Sequence, residues 1–319
     1  MSLFSKVKES LSIAHKKVAS ITGFIKNKLG LSEISLNPAK STSKKNPRLC
    51  IVYLVSPREH THFKGFMGYK KETNKMDIFI ESLKTAVKYL PNYPIYIFHE
   101  DYTSADKNKV KKVAKDRKLI FVKVNFDLYK GKTNLNDWMK KQKGFIDGRP
   151  SGYRMMCRFF CGVMQNSKEL KKFNYYIRMD HDSFLIEPNK LNVEESIKKY
   201  NFDYMFRSVF TDRKEKDTLW HFTKEYALKN KLSLDGFKKL GMLDFRGNYN
   251  GLCPYNNFHV SKVSFWKRKD VLNYLKEMEK VDGIIKLHWQ DANVHAMLLG
   301  LFNPVILEKT DFGYAHNIH

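Results

Sequence analysis

Two carboxylates two residues apart, Asp180 and Asp182, follow the apolar run Phe173 to Met179, which reads as a buried strand. In an extended strand, side chains i and i+2 lie on one face. Both acids can therefore point at one object beyond the strand's carboxyl end, in the crevice where open α/β sheets bind ligands. Close carboxylates repel unless something cationic sits between them. Hard oxygen ligands suit Mg²⁺ or Mn²⁺, so the occupant these residues suggest is such an ion carrying a nucleotide diphosphate. The same short pattern also marks a strand end entering a turn, with Asp182 and Ser183 capping the next segment.

The elements that must position the pair are legible on either side of it. Leu49 to Val55 is a continuous apolar run, read as a strand. The spacing of Ile80, Leu83, Val87 and Leu90 predicts a helix over Met76 to Leu90. Next come a strand over Pro94 to Phe98, a helix over Ala105 to Arg117 and a strand over Leu119 to Val124. Strand alternating with helix argues a mainly parallel sheet with right-handed crossovers. A helix over Gly152 to Ser167 leads into the strand before Asp180. Beyond Asp182 the pattern predicts strands over Phe202 to Phe206, Phe258 to Val263 and Pro304 to Leu307. It predicts helices over Thr218 to Lys231, Lys267 to Lys280 and Gln290 to Leu301. Residues 241–257, rich in Gly and Asn, read as loop.

Composition supports a packed enzyme-sized domain. The chain has 319 residues, 42% hydrophobic and 14% aromatic, with 23 Phe and 17 Tyr, which excludes a disordered protein. Its formal charge of +25 draws polyanions such as nucleotides or acidic lipid headgroups. Most of the excess is lysine scattered on helix faces, and no helix-turn-helix, RNP-type or zinc-finger pattern argues for nucleic acid. Cys50, Cys157, Cys161 and Cys253 form no Cys-x-x-Cys pair, so buried free thiols are expected rather than a structural zinc site. No run of 18 or more apolar residues suggests a spanning helix, and no secretory signal is visible. This leaves a cytoplasmic or peripheral membrane location as the expectation. Apolar residues at Phe4, Val7, Leu11, Ala14, Val18, Ile21 and Ile25, with lysines largely off that stripe, predict a basic amphipathic helix. Its apolar face meets either an anionic membrane surface, through residues 1–35, or the protein itself or a partner. The domain division is thus 1–46 for this helix and a polar linker, and 48–319 for the globular part.

Four segments, in order, resemble the fungal α-1,2-mannosyltransferases of glycosyltransferase family 15. Tyr153-Arg154-Met155-Met156-Cys157-Arg158-Phe159 resembles the family's Tyr-Arg-x-Met-Cys-Arg-Phe. Tyr175 through Asp182 resembles its Tyr-Tyr-Trp-Arg-Val-Glu-Pro-Asp, so Asp180 and Asp182 stand at its acidic pair. Trp289-Gln290-Asp291-Ala292-Asn293-Val294-His295 resembles Trp-Gly-Asp-Ala-Pro-Val-His, and Asp311 through His316 resembles Asp-Ile-Gly-Tyr-x-His. The resemblance covers residues 48–319. It implies a GT-A-like α/β fold and a retaining transferase using GDP-mannose and Mn²⁺ (or Mg²⁺), with His316 as a metal ligand. One departure is chemical: the family's Asn-Phe-Glu, whose Glu is a proposed nucleophile, stands here as Asn257-Phe258-His259. Imidazole does not replace a carboxylate as glycosyl nucleophile, so another group serves or the reaction is a front-side attack.

With that resemblance, Asp182 and His316 are the expected metal ligands, and Asp180 the contact to the nucleotide ribose or to outer-shell water. Arg154 and Arg158, spaced i and i+4, can clamp phosphates with planar forks or form surface ion pairs. Tyr153 can donate to the diphosphate or the sugar. Asp291 is a candidate for holding the sugar or acting as base on the acceptor hydroxyl, although Asp at a helix start is also an ordinary cap. His259 is either a general base or acceptor contact, or structural. His295, among Ala292, Val294 and Met297, reads as a satisfied core residue. Trp289 and Tyr255 can stack on sugar rings or fill the core. The expectation is a GT-A-like nucleotide-sugar-binding sheet flanked by helices, with an N-terminal amphipathic helix. Its activity is metal-dependent hexosyl transfer, with mannose as the sugar, to a glycan or other hydroxyl acceptor. A different nucleotide-sugar donor, or a catalytically silent membrane- or nucleic-acid-associated binding protein, are the alternatives.

Overall fold

The structure is a computed structural model that describes residues 33–36, 46–56, 75–126, 151–212 and 216–316. The basic helix expected before residue 31 lies outside them, and so does most of the linker. Strand β2 (Leu49–Val55) sits deep in the sheet and pairs in parallel with β3 (Ile95–His99) and β5 (Tyr175–Met179); β3 pairs in parallel with β4 (Leu119–Lys123). The helices Lys75–Tyr89 and Ser104–Ala114 make the crossovers. The second opens on a reciprocal capping box between Thr103 and Asp106, which satisfies backbone donors that the first turn leaves unpaired.

The other half of the sheet is not parallel throughout. With β7 (Tyr204–Phe206), β10 (Phe258–Lys262), β11 (Ile306–Lys309) and β1 (Glu33–Leu36), the order is β1-β11-β7-β10-β5-β2-β3-β4. Strand β10 runs antiparallel between β5 and β7, and β1 runs antiparallel to β11. The two-residue period of the strands divides the core into two layers. Cys50, Val52, Tyr96, Phe98 and Tyr176 face one layer; Ile51, Tyr53, Ile95, Ile97 and Ile177 face the other. The first layer is filled by Trp266, Tyr274 and Trp289 and by the helix Asp291–Phe302, buried on every side. The second is covered by Met76, Phe79, Leu83 and Ala86 of the first crossover helix. All four cysteines are free and buried, as expected.

Three local expectations need correction. The helix expected over Gly152 to Ser167 is regular only over Ser151–Arg158 and passes into a π-turn at Phe159–Val163, where Gly162 takes φ of 114°. Apolar spacing does not register such a break, whereas the glycine permits it. Residues 241–257 are not all loop: β9 (Leu252–Pro254) pairs with β8 (Val209–Thr211). The chain after Asp182 enters β6 (Ser183–Asn189), which pairs antiparallel with β12 (Phe312–His316). That short pair lies off the main sheet and carries too few alternating residues to be read by period.

Among the described residues, His259 and His288 have no exposure and His295 has 1%. Burial is the main cause that pushes all three down, His288 and His295 to about 4 and His259 well below its ordinary value. In the unfolded chain each titrates near about 6.5. A depressed folded pKa means that the unfolded state binds more protons in between. Stability contributed by these rings is therefore present above pH 6.5 and lost as pH falls toward about 4. Denaturant melts across that interval are expected to show a falling midpoint, with His295→Gln flattening the slope; a midpoint unchanged from pH 6.5 to 4.5 would contradict neutral buried rings.

Candidate active site

Strand β5 ends at Met179, and the chain turns at once. The Asp180 amide donates to the Asn257 carbonyl at 3.0 Å and the Ser183 amide to the Asp180 carbonyl at 3.0 Å. Asp180-His181-Asp182 is therefore the tight turn between β5 and β6. Strand β12 returns along β6 with His316 opposite Ser183. The Ser183 hydroxyl ties the two together, bonded to the Tyr314 hydroxyl at 2.8 Å and the Asn257 carbonyl at 3.1 Å.

This pairing brings the distant imidazole to the acids. One ligand atom each from Asp180, Asp182 and His316 all lie within 4.8 Å of one another. His316 Nε2 is 3.1 Å from Asp182 Oδ1. Its Nδ1 is 2.7 Å from the Tyr255 hydroxyl, and the Asn257 amide nitrogen is 2.9 Å from its Nε2. With the Nδ1 proton given to Tyr255, the Nε2 lone pair faces the carboxylates, the orientation a metal-binding imidazole needs. Burial alone would lower the His316 pKa, but the Asp182 carboxylate outweighs it and holds the ring above its usual range. Two carboxylates and one oriented imidazole suit Mn²⁺ or Mg²⁺, so the residues fit the expected ion.

Below the turn lies a group absent from the sequence expectations. Arg178, 1% exposed, forks onto Asp180, with Nε to Oδ1 at 2.8 Å and Nη2 to Oδ2 at 3.2 Å. Its Nη1 donates to Asp291 Oδ2 at 2.6 Å, and its Cζ lies 3.5 Å from the centroid of the Phe160 ring. Asn256 donates to the same Asp291 oxygen at 2.9 Å, and Asn257 donates to Asp180 Oδ2 at 2.9 Å. Burial would raise the Asp291 carboxyl, but the Arg178 guanidinium holds it below the usual carboxylate range. Asp291 does not act as a side-chain cap, because the residue at the helix start is Gln290. The sequence does carry a signal for Arg178: a guanidinium within Tyr-Tyr-Ile-Arg-Met must find carboxylates once the strand is buried. Asn256 and Asn257 carry no comparable signal in a stretch that reads as loop.

The other expected residues divide. Asp180, Asp182, His316 and Asp291 converge with Arg178. Tyr153 is near, its hydroxyl donating to Gln290 Oε1 at 3.4 Å. The two arginines of its helix do not form one fork. Arg154 is buried and donates to the Ile285 carbonyl at 2.5 Å, and Arg158 pairs with Glu279 at 2.9 Å. The pairing role, rather than the phosphate clamp, is the one the structure displays for Arg158. His259 is corrected from a general base or acceptor contact to a core residue: it is fully buried, its Nε2 3.0 Å from the Tyr176 hydroxyl and its Nδ1 3.0 Å from the Asn256 carbonyl. His295 is the satisfied core residue expected, held by Tyr204 at 2.8 Å and the Phe160 carbonyl at 2.9 Å. Trp289 is core and donates to Thr218, whereas Tyr255 braces His316.

The profile of a protein family described as glycolipid 2-alpha-mannosyltransferase matches residues 25–318 of the chain. Glycolipid 2-alpha-mannosyltransferase 1 of Candida albicans is 32% identical over 183 residues, 55% of this chain and 42% of that protein. The glycolipid 2-alpha-mannosyltransferase of Saccharomyces cerevisiae is 24% identical over 311 residues, 88% of this chain and 63% of that protein. The chain thus spans less than two thirds of the length of these relatives. Among solved structures, it is similar to core-mannan synthase A of Aspergillus fumigatus in its Mn/GDP form, with a TM-score of 0.68 at 19% identity over 88% of this chain and 77% of that one. It is similar also to the S. cerevisiae mannosyltransferase Ktr4p in complex with GDP, with a TM-score of 0.68 at 18% identity over 88% and 76%. These likenesses establish a GT-A-like fold.

Removing a metal ligand is expected to cost more than removing its support. Calorimetric Mn²⁺ titration should show Asp182→Ala and His316→Ala losing measurable binding, while Asn257→Ala weakens it by about 10-fold, within the range for outer-shell partners. Unaltered affinity in His316→Ala would exclude the imidazole as a ligand.

Proposed function

The chain belongs to glycosyltransferase family 15, and from that premise we propose that it moves mannose from GDP-mannose to a glycan hydroxyl, with retention at the anomeric carbon and with Mn²⁺ as cofactor. The observation that supports this reading above all is the meeting of Asp180, Asp182 and His316 within 4.8 Å beyond the carboxyl end of β5. Asp182 and His316 hold the ion, which when bound neutralises charge that develops on the departing diphosphate. Asp180 takes one further donor, a ribose hydroxyl of the nucleotide. Tyr153 donates to the diphosphate from the neighbouring helix. Asp291, kept ionised by Arg178 and fixed by Asn256, orients the transferred sugar.

The residue where the family carries its carboxylate is enclosed in the core as His259. The protein therefore offers no nucleophile at that position, which favours front-side displacement. The acceptor hydroxyl attacks from the face the diphosphate leaves, and the departing phosphate oxygen receives its proton. The basic amphipathic sequence before residue 31 belongs in the same proposal as a contact to an anionic membrane surface; residues 33–35, expected to share in it, are instead part of β1 and pair with β11. Among the described residues no helix is long and apolar enough to cross a membrane.

The test is a panel of nucleotide sugars with and without Mn²⁺. Mannose release or transfer from GDP-mannose alone, lost in Asp182→Ala and at least about 10²-fold reduced in Asp291→Asn, is the expected result, because removal of a group stabilising the transition state costs rate on that scale. GDP with Mn²⁺ should also raise the melting temperature, since a ligand selective for the folded state stabilises it. Preference for a UDP-sugar would replace the donor assignment. Silence with every donor, together with salt-sensitive binding to anionic vesicles, would favour a binding protein that kept the fold.

A further inference from the structure

Each carboxylate has about four lone-pair sites on its two oxygens. Three protein donors already face Asp180: Nε and Nη2 of Arg178 and Nδ2 of Asn257. That leaves it one. The Arg178 fork is spent on Asp180 and Asp291, whereas Asp182 lies beside the rings of His316 at 3.1 Å and His181 at 3.8 Å. A single guanidinium thus treats the two acids of the turn differently. The third nitrogen of the same guanidinium reaches Asp291, on a helix more than a hundred residues further along. The group between them is immobilised on all sides. Its strand is central, with Val52 of β2 and His259 of β10 as its neighbours in register. Its open face is covered by the Phe160 ring, 3.5 Å away. That ring is aimed by the π-turn, whose Phe160 carbonyl accepts from His295 and from Gln165.

We propose that Arg178 is a positioning residue that couples the two ends of the site: it reserves Asp180 for a single outer donor, leaves Asp182 to the cation, and transmits the state of Asp291 to the metal. This rests on the transferase reading above for the roles of Asp182 and Asp291. The planar fork, rather than the charge, is what makes the coupling, because only a guanidinium can hold three oxygens in fixed directions at once. Loss of charge at Asp291 weakens one arm of the fork from a charge-assisted to a neutral hydrogen bond, and the guanidinium shifts toward Asp180 and draws the turn away from the cation.

The experiment is a double-mutant cycle on Mn²⁺ affinity, measured with the full chain in the presence of GDP by the electron paramagnetic resonance of free Mn²⁺. Arg178→Lys keeps the charge and loses the fork; it is expected to weaken Mn²⁺ by roughly 10–100-fold, as outer-shell partners do. Asp291→Asn is expected to weaken it by roughly 5-fold, at the lower end of coupling between sites. In the Arg178→Lys background that second effect should vanish. An equal effect of Asp291→Asn in both backgrounds would mean charge acting through space, and no effect in the parent would mean no coupling; either overturns the proposal while leaving the transferase reading intact. A parent protein that binds neither Mn²⁺ nor GDP overturns both. Should Arg178→Lys not fold, Phe160→Leu takes its place: it removes the ring over the guanidinium and no charge, and the Asp291 effect should again be lost.

Discussion

Two carboxylates, Asp180 and Asp291, share one buried guanidinium while a third, Asp182, stands outside its hydrogen bonds, and the rest of the site follows from that imbalance. Ionised groups withdrawn from water cost several kcal/mol each, roughly, unless geometry and hydrogen bonds offset it. Arg178 meets this condition for Asp180 and Asp291, with bonds between 2.6 and 3.2 Å. Each of its three nitrogens bonds one of these two acids, and none bonds Asp182. The His316 imidazole stands beside that acid instead and is pulled toward protonation as a result. The cluster therefore attracts positive charge at one defined place, between Asp182 and His316. A divalent cation supplies it where the donors of the arginine do not reach.

The fold delivers this arrangement by placing two late strands where a purely parallel sheet would have none. β10 enters antiparallel beside β5, so the residues that precede it, Tyr255, Asn256 and Asn257, arrive at the carboxyl end of β5 rather than at the opposite edge. β12 then runs back along β6 and ends at the turn. Polar side chains ahead of β10 brace the cluster: Asn257 on Asp180, Asn256 on Asp291 and Tyr255 on the His316 that β12 delivers. Distances near 3 Å among groups from four separate stretches of chain mean that their relative positions are set by strand register. A side chain held that way needs little reorganisation when a ligand binds.

What can be read from the sequence divides along the same line. The strand and helix alternation of the first half is local, so β2, the first crossover helix, β3, β4 and β5 are visible in apolar period alone. Asp180 and Asp182 are visible because they interrupt an apolar run. The mixed half is harder: a short strand such as β12 shows its nature only through its pairing with β6, and a π-turn leaves the apolar pattern unchanged. His316 can be assigned only through resemblance, since nothing in its own neighbourhood points back to Asp182. Arg154 and Arg158 show the opposite error. Helical spacing puts them on one face, but Arg154 faces inward to the Ile285 carbonyl and Arg158 outward to Glu279. Spacing fixes angles around a helix and says nothing of what stands opposite.

His259 ties the chemical departure to the same charge balance. It lies in register with Arg178 on the adjoining antiparallel strand, and side chains of such partners share a face. A carboxylate at 259 would therefore stand beside the guanidinium and compete with Asp180 and Asp291 for its donors. A buried imidazole held neutral does not compete; Arg178 is itself one of the charges that keep it so, after burial and His295. The ring spends its two nitrogens on the Tyr176 hydroxyl and the Asn256 carbonyl. The second of these steadies the residue whose amide fixes Asp291. Histidine at this position thus leaves the arginine committed wholly to the two acids it bridges.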